Sequence, residues 1–289
     1  MKSEFKGIFL AITAYFLYSL ALLCIKLTPC SYILIVFSRS LVGLLLFSCI
    51  FIPKDPSLVR TENRKKHFYR SIASISTIFC STYGIQRLAL VDAVLLENTL
   101  PFFTPVIMLI FYRRKITKLG LVAITIGFVG VFFILQPKLE VMQFASLASL
   151  AAGFLAALSM VLVHDLSKTE KNTTILFYFL LFSTSFSLIP IVTNRIGMPS
   201  PLILMHLILI GGLFLLFQSL ITKAHTYISP NTLCGFSYLT VAFSVFWEKL
   251  VWSIPLDLTS LLGNLLILTA GFVILWERAR LKKQEEVSS

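Results

Sequence analysis

The stretch VDAVLLENTLPFFTPVIMLIFY, residues 91–112, sets a carboxylate and an amide, Glu97 and Asn98, beside two prolines, Pro101 and Pro105. The rest of the run is apolar and long enough to cross a bilayer. A carboxylate at the centre of a membrane helix costs about 2.5–3.5 kcal/mol on insertion scales, so it needs a partner or a watery cavity. Three kinds of chemistry are open to Glu97: binding a cationic group, taking up and releasing a proton, or forming a buried ion pair that only fixes helix packing. Each proline lacks an N–H and frees a carbonyl one turn earlier. Free backbone survives at membrane depth only inside protein or beside water. The carboxylate and the helix break together predict one wall of a transport path. The bland alternative is a kink that only curves the helix.

Other polar groups fall at similar depth. With a helical rise of about 1.5 Å per residue, Arg39 lies about 12 Å in from the outer end of its span, Glu97 about 9 Å, His206 about 7.5 Å and Glu248 about 5 Å. The expectation is a water-accessible central cavity that opens outward and is faced by Glu97, with Arg39 either paired to Glu97 or left for the solute. Glu248 stands beside Trp247, Lys249 and Trp252, so headgroup anchoring competes there with a cavity role. His206 is a proton-relay candidate against the commoner packed histidine. Tyr15, Tyr18, Ser19, Tyr83, Asn98, Gln218, Ser237 and Tyr238 are further lining candidates. Aromatic and amide groups of this sort suit a small organic solute with an apolar part.

The elements that must hold these groups are apolar helices. The 289 residues are 57 % hydrophobic and 13 % charged, where a soluble domain carries roughly 25 % charged residues. Ten runs reach spanning length: 7–27, 31–52, 68–87, 91–112, 118–136, 142–163, 173–193, 201–221, 230–252 and 258–276. An all-α integral membrane protein follows. The net charge of +12 comes from short basic clusters between spans, which is the pattern of topology signals and not of a nucleic-acid face. Most of the 25 Lys and Arg lie at the ends shared with the N-terminus, whereas Lys26, Arg87, Lys138, Arg195 and Lys249 lie at the opposite ends. That places both termini in the cytoplasm. Lys2 and Lys6 precede an apolar run too long for a cleaved leader, so a retained first helix is expected. The segment 53–67, PKDPSLVRTENRKKH, is read as a solvated connector. The five cysteines, Cys24, Cys30, Cys49, Cys80 and Cys234, have no metal-ligand spacing, so no metal and no cofactor is expected.

Each half of the chain closes alike, with a helix, a short polar break and a Gly-containing helix: Gly120, Gly127 and Gly130 in the first, Gly263 and Gly271 in the second. Five helices per half is an odd number, so the halves must enter the membrane in opposite senses, a transporter signature. The expected units are 1–139 and 140–289, two inverted five-helix repeats. With these features the chain resembles the drug/metabolite transporter superfamily in its ten-helix EamA-type branch. LYSLALLCIK, with Lys26, resembles a first-helix motif that carries Trp-Gly where this chain has Tyr18-Ser19. Arg39, Pro101 and the fifth-helix glycines match other family positions, while the family's ninth-helix proline is Leu239 here. The resemblance implies a secondary transporter of a small metabolite, an amino acid or related compound, working by alternating access with protons as a candidate coupling ion. Export is its commoner direction. Uptake of S-adenosylmethionine or another host metabolite, and flipping of a lipid or lipid-linked carrier, are its other implied readings. No HExxH, GxSxG or Walker motif occurs, so an enzyme is not expected. The bias to Ile, Phe and Lys suits an AT-rich bacterial genome, and the expected location is a bacterial inner membrane.

Overall fold

The computed structural model describes residues 2–113, 117–135, 140–224, 227, 236–253 and 258–288. Arg114, Lys115, Lys138 and Cys234 lie outside the described residues. Helices make up most of the described chain: α1 Lys2–Leu27, α2 Tyr32–Phe51, α3 Arg64–Arg87, α4 Leu90–Glu97, α5 Leu100–Tyr112, α6 Lys118–Leu135, α7 Glu140–Leu166, α8 Asn172–Thr193, α9 Pro201–Ala224, α10 Leu239–Trp252 and α11 Leu258–Ser288. No strand occurs among the described residues. α4 and α5 run on as one apolar span, Leu90–Phe111, which leaves ten helical segments. Six spans are long and apolar enough to cross a membrane, and Lys118–Phe133 and Leu261–Val273 are shorter apolar helices. With an even number of alternating segments, both termini fall at one end of the bundle, the terminal end. The α1–α2 and α3–α4 turns lie at the opposite, far end.

Four packings dominate: α3 on α7, α6 on α11, α1 on α9, and α2 on α8 and α9. Small residues permit the closest of them. At Gly130 of α6 an added Cβ would come within 2.7 Å of the Gly263 carbonyl of α11. At Gly84 of α3 it would collide with the Ser149 side chain of α7. The largest buried cluster joins Ala21, Leu22, Leu23 and Ile25 of α1, Ile85 and Leu88, the apolar residues of α4, Leu207, Ile210, Leu213 and Phe214 of α9 and Val241 of α10, and runs on through Phe102, Ala123 and Ile267.

The segment 53–67 departs from the solvated connector expected of it. Pro56–Val59 forms a 3-10 turn whose Leu58 is buried against Phe47 and Leu180. Burying one leucine is worth about 1.5–3 kcal/mol, enough to hold so short a loop down. Polar ties do the rest. Tyr178 of α8 donates its hydroxyl to the Val59 carbonyl at 2.7 Å, and Lys171 meets Asp55 at 2.9 Å. Glu170 accepts from Thr61 at 2.5 Å and from Asn63 at 3.0 Å. The Ser57 hydroxyl and the Lys171 ammonium hold the Asp55 carboxyl below its ordinary value. Burial pushes the Glu170 carboxyl up, but the Thr61 and Asn63 donors outweigh it and leave the group below its ordinary value.

Candidate functional site

The break between α4 and α5 is built, not merely tolerated. Asn98 and Thr99 adopt a turn, and Pro101 stands in the first turn of α5, where its missing N–H costs nothing. Proline therefore starts a new helix here; the kink of a continuous one is not what forms. Asn98 turns its amide back to the Val94 carbonyl at 2.8 Å, and Thr99 bonds the Leu96 carbonyl at 2.6 Å. Pro105 lies inside α5, whose ring-bearing nitrogen removes one more helical bond. Gly153 of α7 packs directly on the turn. A Cβ there would meet Thr99 Oγ1 at 2.4 Å and the Leu96 and Glu97 carbonyls at 2.9 and 3.0 Å.

Glu97, the last residue of α4, is half-buried at this turn. One carboxylate oxygen accepts from Tyr18 of α1 at 3.2 Å, the other from Ser81 of α3 at 2.7 Å. Each oxygen keeps a lone pair free. The Tyr18 ring lies tilted by 30° against Phe217, with ring centres 4.6 Å apart, and meets Phe214 edge-on at 5.4 Å, both on α9. Arg39 of α2 lays its guanidinium over the face of Phe214, 3.2 Å from the ring centre. No ion pair forms between Arg39 and Glu97. Three aromatic rings thus stand between or beside one acid and one base.

Arg39 lines a small cleft of ≈ 60 Å³ with Ser40, Gly43, Phe179, Leu180 and Gln218 among its walls. Leu176, Leu180 and Gln218 lie in the turns of α8 and α9 nearer the terminal end. The cleft lies on the terminal-end side of Arg39. A wider, open depression of ≈ 480 Å³ lies at the far end, lined by Lys26, Thr28, Pro29, Cys30, Gln86 and Arg87.

Glu248 does not snorkel. It is 4 % exposed and accepts from the backbone N–H of Leu90 at 2.9 Å and of Val91 at 3.3 Å. A carboxylate on α10 thereby caps the N-terminus of α4, where the helix dipole favours negative charge. Lys26 of α1 does the converse for α3, donating to the Leu88 and Ile85 carbonyls at its C-terminus. Its ammonium also lies 5.5 Å from the Trp252 ring centre. The two charges grip the α3–α4 turn from both sides. Trp247 donates its indole N–H to Ser19 at 3.0 Å, so it ties α10 to α1, while Lys249 is exposed.

The remaining candidates lie apart from Glu97. Tyr83 meets Tyr32 edge-on at 5.4 Å and carries Arg87 at 3.8 Å over its ring, at the far end. Tyr238 packs its ring against Gly271 of α11. His206 of α9 keeps a buried Nδ1 without a hydrogen-bond partner among the described residues. Ser81, Phe214 and Phe217 were not among the sequence candidates. Ser81 carried a weak signal as one of several serines along α3; the phenylalanines, in a chain with 26, carried none. No cluster of three or more His, Cys, Asp or Glu able to hold a metal occurs among the described residues.

Residues 5–136 match the EamA-like transporter family. The pseudopaline exporter of Pseudomonas aeruginosa is 26 % identical over 268 residues, covering 91 % of this chain and 94 % of its own. The riboflavin transporter of Vibrio cholerae is 24 % identical, over 73 % of this chain and 74 % of its own. The S-adenosylmethionine uptake transporter of Rickettsia conorii is 23 % identical, over 79 % and 78 %. A protein of known crystal structure, 14 % identical, superposes with a TM-score of 0.63 over 97 % of this chain and 98 % of its own, a likeness of fold alone.

Proposed function

We propose that the chain is a transporter of the EamA-like family, whose model matches residues 5–136, and that it exports an amino acid or a related small organic solute by alternating access. The observation that carries this reading is the Glu97 site. A half-buried carboxylate at a helix break faces Tyr18, Ser81 and, across two rings of α9, an unpaired guanidinium. An amine on Glu97, a carboxylate on Arg39 and an apolar part against Tyr18, Phe214 and Phe217 would satisfy all of them. Free lone pairs on Glu97 also suit it to accept a proton when the solute leaves, which would couple transport to a proton gradient.

Two inverted repeats, 1–139 and 140–289, supply the moving parts. The packing pattern supports them. Exchanging the halves turns the α3–α7 contact into the α9–α1 contact and leaves the α2–α8, α4–α10 and α6–α11 contacts each mapped on itself. A cleft on the terminal-end side of Arg39 supports loading from the side of the termini, the side to which the bias of Lys and Arg points as cytoplasmic. The exporter among the relatives supports the same direction; the uptake relative supports the reverse.

The test is flux in proteoliposomes for a radiolabelled panel of amino acids, S-adenosylmethionine and nucleosides, with and without a pH gradient. Gradient-driven flux of one class that falls about tenfold or more in Glu97→Gln is the expected result. Full flux with unchanged pH dependence in that variant would overturn both roles of Glu97. Counting flux separately in inside-out and right-side-out vesicles decides direction.

A further inference from the structure

Arg70 stands in the second turn of α3, toward the terminal end. Its Nε and Nη1 are buried and have no hydrogen-bond partner among the described residues. Its guanidinium lies 4.3 Å from the ring centre of Phe179, and Phe179 is itself a wall of the Arg39 cleft. Next to Arg70, the Ser71 hydroxyl is fully buried without a partner; so is that of Ser183, one turn beyond Phe179 on α8. No described carboxylate pairs with either arginine. Glu97 already holds Tyr18 and Ser81. Glu170, 3.9 Å from His67, is held by Thr61 and Asn63.

A buried guanidinium without a counter-charge is costly, and inside a membrane bundle it marks a ligand site by default. Here there are two, Arg39 in the cleft and Arg70 against one of its walls, Phe179, beside the single carboxylate of Glu97. Resting on the reading of this cleft as the solute path, we propose that the solute carries two acidic groups and one amine. Arg39 takes the first acid and Arg70 the second, nearer the terminal end. The planar fork of arginine suits a carboxylate or a phosphate at each place. Phe179 touches both places, as a wall of the Arg39 cleft and as the ring under Arg70.

The experiment is binding of glutamate and of leucine to purified protein in neutral phosphatidylcholine nanodiscs, for wild type, Arg70→Gln, Arg70→Lys and Arg39→Gln. The expected result is that glutamate binds more tightly than leucine. Arg70→Gln should weaken glutamate about tenfold or more and leave leucine unchanged, while Arg39→Gln weakens both. Arg70→Lys keeps the charge without the fork and should fall between, which covers the case of a Gln variant that does not fold. Equal effects of Arg70→Gln on the two amino acids, or none on either, would overturn the proposal and leave the solute-path reading intact. Binding of neither amino acid to wild type would overturn that reading and the proposal with it. An Arg70 effect that appears only when phosphatidylglycerol is added would assign the second site to a lipid headgroup and overturn it too.

Discussion

At Gly153 the three atoms that an added Cβ would meet are a hydroxyl and two backbone carbonyls of the α4–α5 turn. The carbonyls cannot rotate away, so the turn would have to move and carry Glu97 with it. Gly153→Ala should therefore lower stability by about 1–3 kcal/mol and reduce flux, read from thermal unfolding in detergent beside the liposome assay. Gly212→Ala is its control. Nothing lies within 4 Å of a Cβ at that position, and alanine gains helix propensity over glycine, about 1 kcal/mol. The sequence showed Glu97 and Arg39 as the charges that needed explaining, because apolar surroundings make them stand out. It gave no sign that they stay unpaired, since depth along a helix does not fix the direction a side chain faces.

At the level of helices, the α3–α4 turn depends on charges supplied by other segments. Glu248→Ala would leave the Leu90 and Val91 amides buried without acceptors, a loss of about 1–3 kcal/mol; Glu248→Gln, which keeps an acceptor oxygen, should lose less. Thermal unfolding of the two variants side by side checks the order. The terminal-end clamp should respond to acid. Asp55 and Glu170 both titrate below their ordinary values in the folded chain. Their contribution is thus complete above the usual carboxylate range and is lost as pH falls through the depressed values. Burial also holds the neighbouring His67 imidazole below its ordinary value, so protease cutting within 53–63 should begin to rise as pH falls below the usual imidazole range, about 6.5, and rise further in stronger acid as Asp55 and Glu170 are protonated. Both elements were misjudged from sequence for one reason. Composition marks 53–67 as polar and Glu248 as close to a helix end, and either label fits a group in solvent. Leu180 over Leu58, Tyr178 on Val59 and Glu248 at the start of α4 are all partners more than a hundred positions away, and no local pattern encodes such partners.

For the molecule as a whole, hydropathy and charge alternation were enough to read ten helical segments, because lipid leaves the backbone no other economical solution. A single cysteine placed at Ser57 should be labelled from the cytoplasmic side of intact cells only after permeabilisation, and one at Pro29 without it; the reverse pattern would invert the topology drawn from Lys and Arg. The bond from Glu248 to Leu90 joins residues 158 positions apart. A ribosome adds roughly 5–20 residues each second, so on the order of ten seconds or more separate the synthesis of α4 from that of its cap. For that interval the first half sits in the membrane with two amides awaiting an acceptor that has yet to be translated. The nascent first half is then an unfinished product, and quality control has that window in which to recognise a chain cut short before Glu248.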